Sequence, residues 1–145
     1  MTLQAIFYLL ATSSERELLR FVCAQATLAF RQNKRVFIYT EDQDSAHQLD
    51  ELLWSLDAQS FVPHNLPGEA GNQGSPVEIS WLAPTSSRQV LINLASDVPD
   101  FAPQFSQIID FVLEQDELKQ LARKRYRRYQ QQGFHVETRP ASKVA

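Results

Sequence analysis

Cysteine occurs once in the 145 residues, at Cys23, so no internal disulfide can form. It stands among apolar neighbours in FVCAQATLAF and reads as a small buried hydrophobe, not a reactive thiol. The three histidines, His47, His64 and His135, are scattered without ligand spacing and suggest no metal site. No apolar run approaches the length of about 18 residues that a membrane span needs. Glycine is also scarce, with four residues in all. The turn after the first apolar run, ATSSERE, contains none, which removes the close approach to pyrophosphate that a dinucleotide fold requires. The one glycine cluster, GEAGNQG at 68–74, has no Lys-Ser/Thr behind it, so no phosphate-cradling loop is built. Asp50 and Glu51 adjoin in a helical pattern and not at a strand end, which argues against magnesium chemistry. No nucleotide, metal or other cofactor is expected. MTLQAIFYLL has no basic lead and reads as a first strand, not an export signal, so the expected compartment is the cytoplasm.

What is present has the grammar of an α/β domain. LQAIFYLL (3–10) and RVFIYT (35–40) are short runs of apolar, β-favouring residues, read as buried strands. Between them Ser13 or Ser14 can cap a helix whose first turn holds Glu15 and Glu17, with apolar residues at helical spacing to about Phe30. A second helix follows over 41–56, capped by Thr40 or Asp42, with Ala46, Leu49, Leu53 and Leu56 on one face. Strand, helix, strand, helix predicts right-handed crossovers and a three-layer Rossmann-like fold with a mainly parallel or mixed sheet. FVPHNLPGEAGNQGSP (61–76), with three Pro and three Gly, predicts a long loop free of regular structure. Strands are predicted over 77–82, 89–95 and 107–112, with a Pro-punctuated connection at 97–106. A helix over 114–132 ends near Gly133, and FHVETRP suits an edge strand. One domain over 1–145 is expected, with a frayed tail from about residue 139.

Charge is distributed unevenly. The net charge is −3, yet residues 41–118 hold fourteen acids and one base, Arg88, while 119–128 hold six bases and no acid. On a helical wheel Leu118, Ala122, Arg125 and Tyr129 share an arc that can pack on the sheet, with the Arg125 stem along it and its charge reaching water. Lys119, Arg123, Tyr126 and Arg127 share a neighbouring arc, while Lys124 and Arg128 point away from both. The bland account is a solvated helix end whose cations complement the dipole. Against it, like charges at Lys119–Arg123, Arg123–Arg127 and Lys124–Arg128 repel by a few tenths of a kcal/mol each. An anionic partner would relieve that cost. Single-stranded nucleic acid is one such partner, with Tyr126 stacking a base. A short acidic peptide fits the narrow stripe better, since phosphate-driven binding usually wants a wider basic groove.

Two further features stand out. Trp54 closes the second helix and Phe61 opens the loop, an aromatic pair equally consistent with core and with a stable protein interface. His64 lies in that loop, where Glu69 is its only plausible local partner for catalysis. A single backbone hydrogen bond is the plainer role for His64, and Asn65 reads as a turn residue.

Taken together, FYLL (7–10), KRVFIYTEDQDSAHQLDELLW (34–54), SFVPHNLPGE (60–69), PVEI (76–79) and LKQLARKRYRRYQQQGF (118–134) carry a resemblance. In this order and spacing the chain resembles the chi subunits of bacterial DNA polymerase III holoenzyme over nearly its whole length. The resemblance implies a non-enzymatic accessory subunit of the clamp-loader assembly that binds the psi subunit. It also implies a site for the acidic, phenylalanine-ended tail of single-stranded DNA-binding protein. By that resemblance Lys119, Arg123, Tyr126 and Arg127 hold the tail, and Trp54 and Phe61 meet psi. Arg127 stands where the family pattern has lysine, which keeps the charge and changes the hydrogen-bond geometry.

Overall fold

A computed structural model describes residues 3–55, 63–67 and 75–141. Among the described residues seven strands form one sheet: β1 Gln4–Leu9, β2 Val36–Tyr39, β3 His64–Asn65, β4 Val77–Ser80, β5 Val90–Asn93, β6 Gln107–Val112 and β7 His135–Pro140. Their order is β3-β4-β2-β5-β6-β1-β7, and every pairing is parallel. Among the described residues the helices are α1 Glu15–Arg31, α2 Gln43–Ser55 and α3 Asp116–Gln131, with a 3-10 turn at Ala102–Gln104.

Local signals account for the boundaries. The Ser14 hydroxyl accepts from Glu17 N at 3.3 Å and starts α1. Asp42 Oδ1 accepts from Ser45 N at 2.8 Å and starts α2. Beyond α3, Gly133 takes φ +95°, a conformation that side chains disfavour, and turns the chain into β7.

Alternation along the strands splits the core in two. Ile38, Ile79, Ile92 and Ile109 meet α1 and α2 on one face; Phe7, Phe37, Leu91 and Ile108 meet Ala122 and Tyr129 of α3 and the 97–105 connection on the other. This is the three-layer arrangement expected from the βαβ pattern, with an all-parallel sheet. Arg88, the one base of the acidic stretch, is buried and donates to the carbonyls of Val36, Ser75 and Pro76 at 3.1, 2.7 and 3.0 Å.

The predicted structureless 61–76 segment needs correcting. His64 and Asn65 form a two-residue edge strand on Val77 and Glu78. Asn65 also closes the loop behind it, accepting from Ser75 N at 2.7 Å and donating to Leu66 O at 2.8 Å. So short a strand leaves no periodicity in the sequence to find.

Cys23 is buried in the α1 face of the core, and burial pushes its thiol up to about 12. The folded protein is therefore expected to resist a thiol reagent such as Ellman's at pH 8 and to titrate one thiol in denaturant. Prompt native-state labelling would show that this layer opens readily.

Candidate functional site

The Arg125 reading is wrong about where its charge goes. Arg125 is only 8% exposed. Its Nε and Nη2 donate to the two oxygens of Asp110 at 3.0 and 3.1 Å, and its remaining donors reach Ser96 O and Phe111 O at 3.2 and 3.1 Å. The Tyr129 hydroxyl donates to Asp110 Oδ2 at 2.8 Å and accepts from Asn93 Nδ2 at 3.0 Å. Burial beside the Asp110 carboxylate holds the Tyr129 phenol well above the ordinary tyrosine range. This network links α3 to β6 and to the segment after β5, and it fixes which side of the helix faces out.

The outward side builds a groove. Lys119, Arg123, Tyr126 and Arg127 line a depression of about 320 Å³ together with Phe7, Leu9, Val112, Ala122 and Thr138. All four residues of the predicted stripe therefore converge on one place. Strand register explains the floor, since Phe7 pairs with Thr138 and Leu9 with Val112 on the α3 face of the sheet. Tyr126 forms a wall, its ring centroid 5.6 Å from that of Phe7 and its hydroxyl donating to Val136 O at 3.2 Å. Lys119 pairs with Glu114 at the helix start. Arg123 and Arg127 are exposed and make no ion pair with a described residue. Two uncommitted guanidiniums over an apolar floor suit a ligand with carboxylates and one apolar group. The floor residues escaped the sequence reading, which treated β1 as core. Their signal was the alternation that puts Phe7 and Leu9 on one face, with Leu9 left 44% exposed.

The aromatic surface lies elsewhere. Trp54 is 55% exposed at the end of α2, and its ring packs on His64 with centroids 4.5 Å apart. His64 is buried, with Nε2 3.2 Å from Asp50 Oδ1, so its acidic neighbour is Asp50. Glu51 is exposed, and the adjacent carboxylates thus face different surroundings. Phe61 and Glu69 lie outside the described residues. Trp54 and His64 sit by β3 at one sheet edge, while the groove sits by β7 at the other. Six inter-strand spacings of about 4.8 Å separate those edges by roughly 29 Å.

Open parallel sheets usually take ligands where adjacent strands lead off in opposite directions, here between the C-terminal ends of β2 and β5. In this chain Glu41, just past β2, bonds across to Ser96, just past β5, its carboxylate accepting from Ser96 N at 2.7 Å and Ser96 Oγ at 3.1 Å. Asp97 and Asp100 follow directly, so a phosphate entering there would meet carboxylates.

Comparison with known proteins decides the family. Residues 1–137 match the family described as DNA polymerase III chi subunit, HolC. The chain is 46% identical over 140 residues to DNA polymerase III subunit chi of Escherichia coli, covering 92% of this chain and 95% of the relative. The chain belongs to the DNA polymerase III chi subunit family.

Chi relatives in Haemophilus influenzae (42% identity over 136 residues, 92% and 94% coverage) and Pseudomonas aeruginosa (32% over 132 residues, 90% and 92%) agree. Chi subunits are non-catalytic accessory components of the replicative polymerase, with psi and the tail of single-stranded DNA-binding protein as partners. Among the described residues no cluster of three metal-ligating side chains occurs, and no helix is long and apolar enough to cross a membrane. A crystal structure of T4 UvsW shares the fold, with a TM-score of 0.60 at 10% identity over 96% of this chain and 41% of that one.

Proposed function

We infer that the chain works as a two-sided adaptor in the cytoplasm, with each partner on its own edge of the sheet. The acidic tail of single-stranded DNA-binding protein docks in the α3–β7 groove. Arg123 and Arg127 hold its carboxylates, Lys119 adds charge at the helix start, and the wall of Tyr126 with the floor of Phe7 and Leu9 receives the terminal apolar residue. Psi covers the apolar surface at Trp54, with Phe61 as its companion. The observation that carries this reading is the pair of guanidiniums, without a carboxylate partner among the described residues, above an apolar floor on the sheet edge opposite Trp54. Separation by roughly 29 Å lets both partners bind at once. No cofactor takes part in either contact.

Calorimetric titration with a short acidic peptide ending in a free C-terminal phenylalanine tests the groove. Saturable binding is expected, weakening as salt rises and weakening by at least about 1 kcal/mol in Arg123→Ala, as loss of a charge-assisted hydrogen bond requires. Equal affinity of the variant, or no binding at low salt, would remove the groove from the tail's path.

A further inference from the structure

The cations of α3 fall into two groups that the fold treats differently. Arg123 and Arg127 face the groove without acidic partners among the described residues, whereas Arg128, on the far side of the helix, is gripped by two carboxylates. Its Nη1 lies 3.3 and 3.2 Å from the two oxygens of Asp97, and its Nη2 lies 3.0 Å from Asp100 Oδ1. Both aspartates are exposed and belong to the connection that also supplies Ser96 O to Arg125. As stabilising contacts such exposed pairs contribute little, at most about 1 kcal/mol. Their effect on the surrounding potential is larger. A phosphate approaching Arg128 also comes within a Debye length, about 10 Å, of both carboxylates, so the local charge it meets is one positive and two negative. Lys124, one turn earlier on the same side, is left as a lone exposed cation.

We propose that Asp97 and Asp100 act as a specificity clamp: by neutralising Arg128 they confine the usable positive charge of α3 to the groove, so that the helix accepts an acidic peptide and rejects single-stranded nucleic acid. Without the clamp, Lys124, Arg128 and the groove cations would form a continuous basic surface around the helix, the broad footprint that phosphate-driven binding uses. The electrostatic part of the proposal stands on the Arg128 contacts alone. The preference for peptide rests on the groove reading.

The test is fluorescence anisotropy with a labelled single-stranded oligo-dT and, in parallel, with the acidic phenylalanine-ended peptide. Asp97→Asn/Asp100→Asn is the principal variant; asparagine at 97 retains an acceptor for Val98 N, which Asp97 Oδ1 receives at 2.7 Å. At low salt it is expected to bind the oligonucleotide at least about fivefold more tightly than the wild type, with a steeper salt dependence. Adding Arg128→Ala should abolish the gain. Glu15→Gln/Glu17→Gln, the same charge change on α1, which packs on the opposite face of the sheet, should give less than about a twofold effect. Peptide affinity should stay within about twofold of wild type in the clamp variant, because the groove cations are untouched. Unchanged oligonucleotide affinity, a gain that survives loss of Arg128, or an equal gain from the α1 control would each overturn the clamp. A wild-type protein that fails to bind the peptide would overturn the groove reading instead, and the oligonucleotide arm would still decide the clamp.

Discussion

Replacing Arg125 with methionine is expected to lower the unfolding free energy by about 3–5 kcal/mol, the cost of leaving one member of a buried pair uncompensated. The partner left behind is Asp110, whose side chain is 1% exposed in the centre of β6. In the wild type its carboxylate accepts from Arg125 twice, from the Tyr129 hydroxyl and from Phe111 N at 2.6 Å. The variant loses the only cation among these donors, and methionine fills the volume without replacing the charge. A domain of this size has a total stability of roughly 5–15 kcal/mol, so the loss is a large fraction of it. Arg125→Met/Asp110→Leu should recover much of the loss, because a matched apolar pair avoids the desolvation that the ion pair bears. Denaturant unfolding of the two variants measures both effects. A loss below about 1 kcal/mol in Arg125→Met would mean that water reaches Asp110 and that the network does not set the rotation of α3.

The same network shows where sequence reasoning reached and where it stopped. Ser14 and Asp42 as caps, Gly133 as the turn after α3 and the apolar arc of Ala122, Arg125 and Tyr129 were legible, because each depends on residues within a turn or two. The convergence of Lys119, Arg123, Tyr126 and Arg127 was legible for the same reason: a helix places its own residues. The charge of Arg125 was misread because its partner is 15 residues away on a strand. A clue was available all the same. Asp110 is the one charge inside the apolar run QIIDFV, and a buried carboxylate needs a cation. The groove floor depends on β1, β6 and β7 lying side by side, and strand order is set by the tertiary assembly of the sheet. The approach of Asp50 to His64 was not legible either, because Asp50 comes from α2, 14 residues earlier in the chain. The two-residue strand β3 exists only because β4 supplies its partner.

Trp54→Ala should weaken binding to psi by at least about 2 kcal/mol, roughly 30-fold, the loss typical of an aromatic anchor at the centre of an interface. More than half of the Trp54 surface is exposed in the free chain, so most of what psi would cover is not already spent on the fold. Within the chain its ring packs on the His64 ring, and Trp54 is not part of the buried core. Removing it should therefore cost the isolated chain far less stability than Arg125→Met, and denaturant unfolding provides that control. Affinity for the acidic peptide should be unchanged, because sites on opposite edges of the sheet share no residues and distant changes act independently. Wild-type affinity for psi in this variant would move the contact away from the β3 edge. A parallel loss of peptide binding would sink the adaptor logic in a different way, by showing that the two edges are energetically coupled. Psi binding reduced and peptide binding intact is the result that independent docking requires: one partner can then hold the chain in the polymerase assembly while the other exchanges.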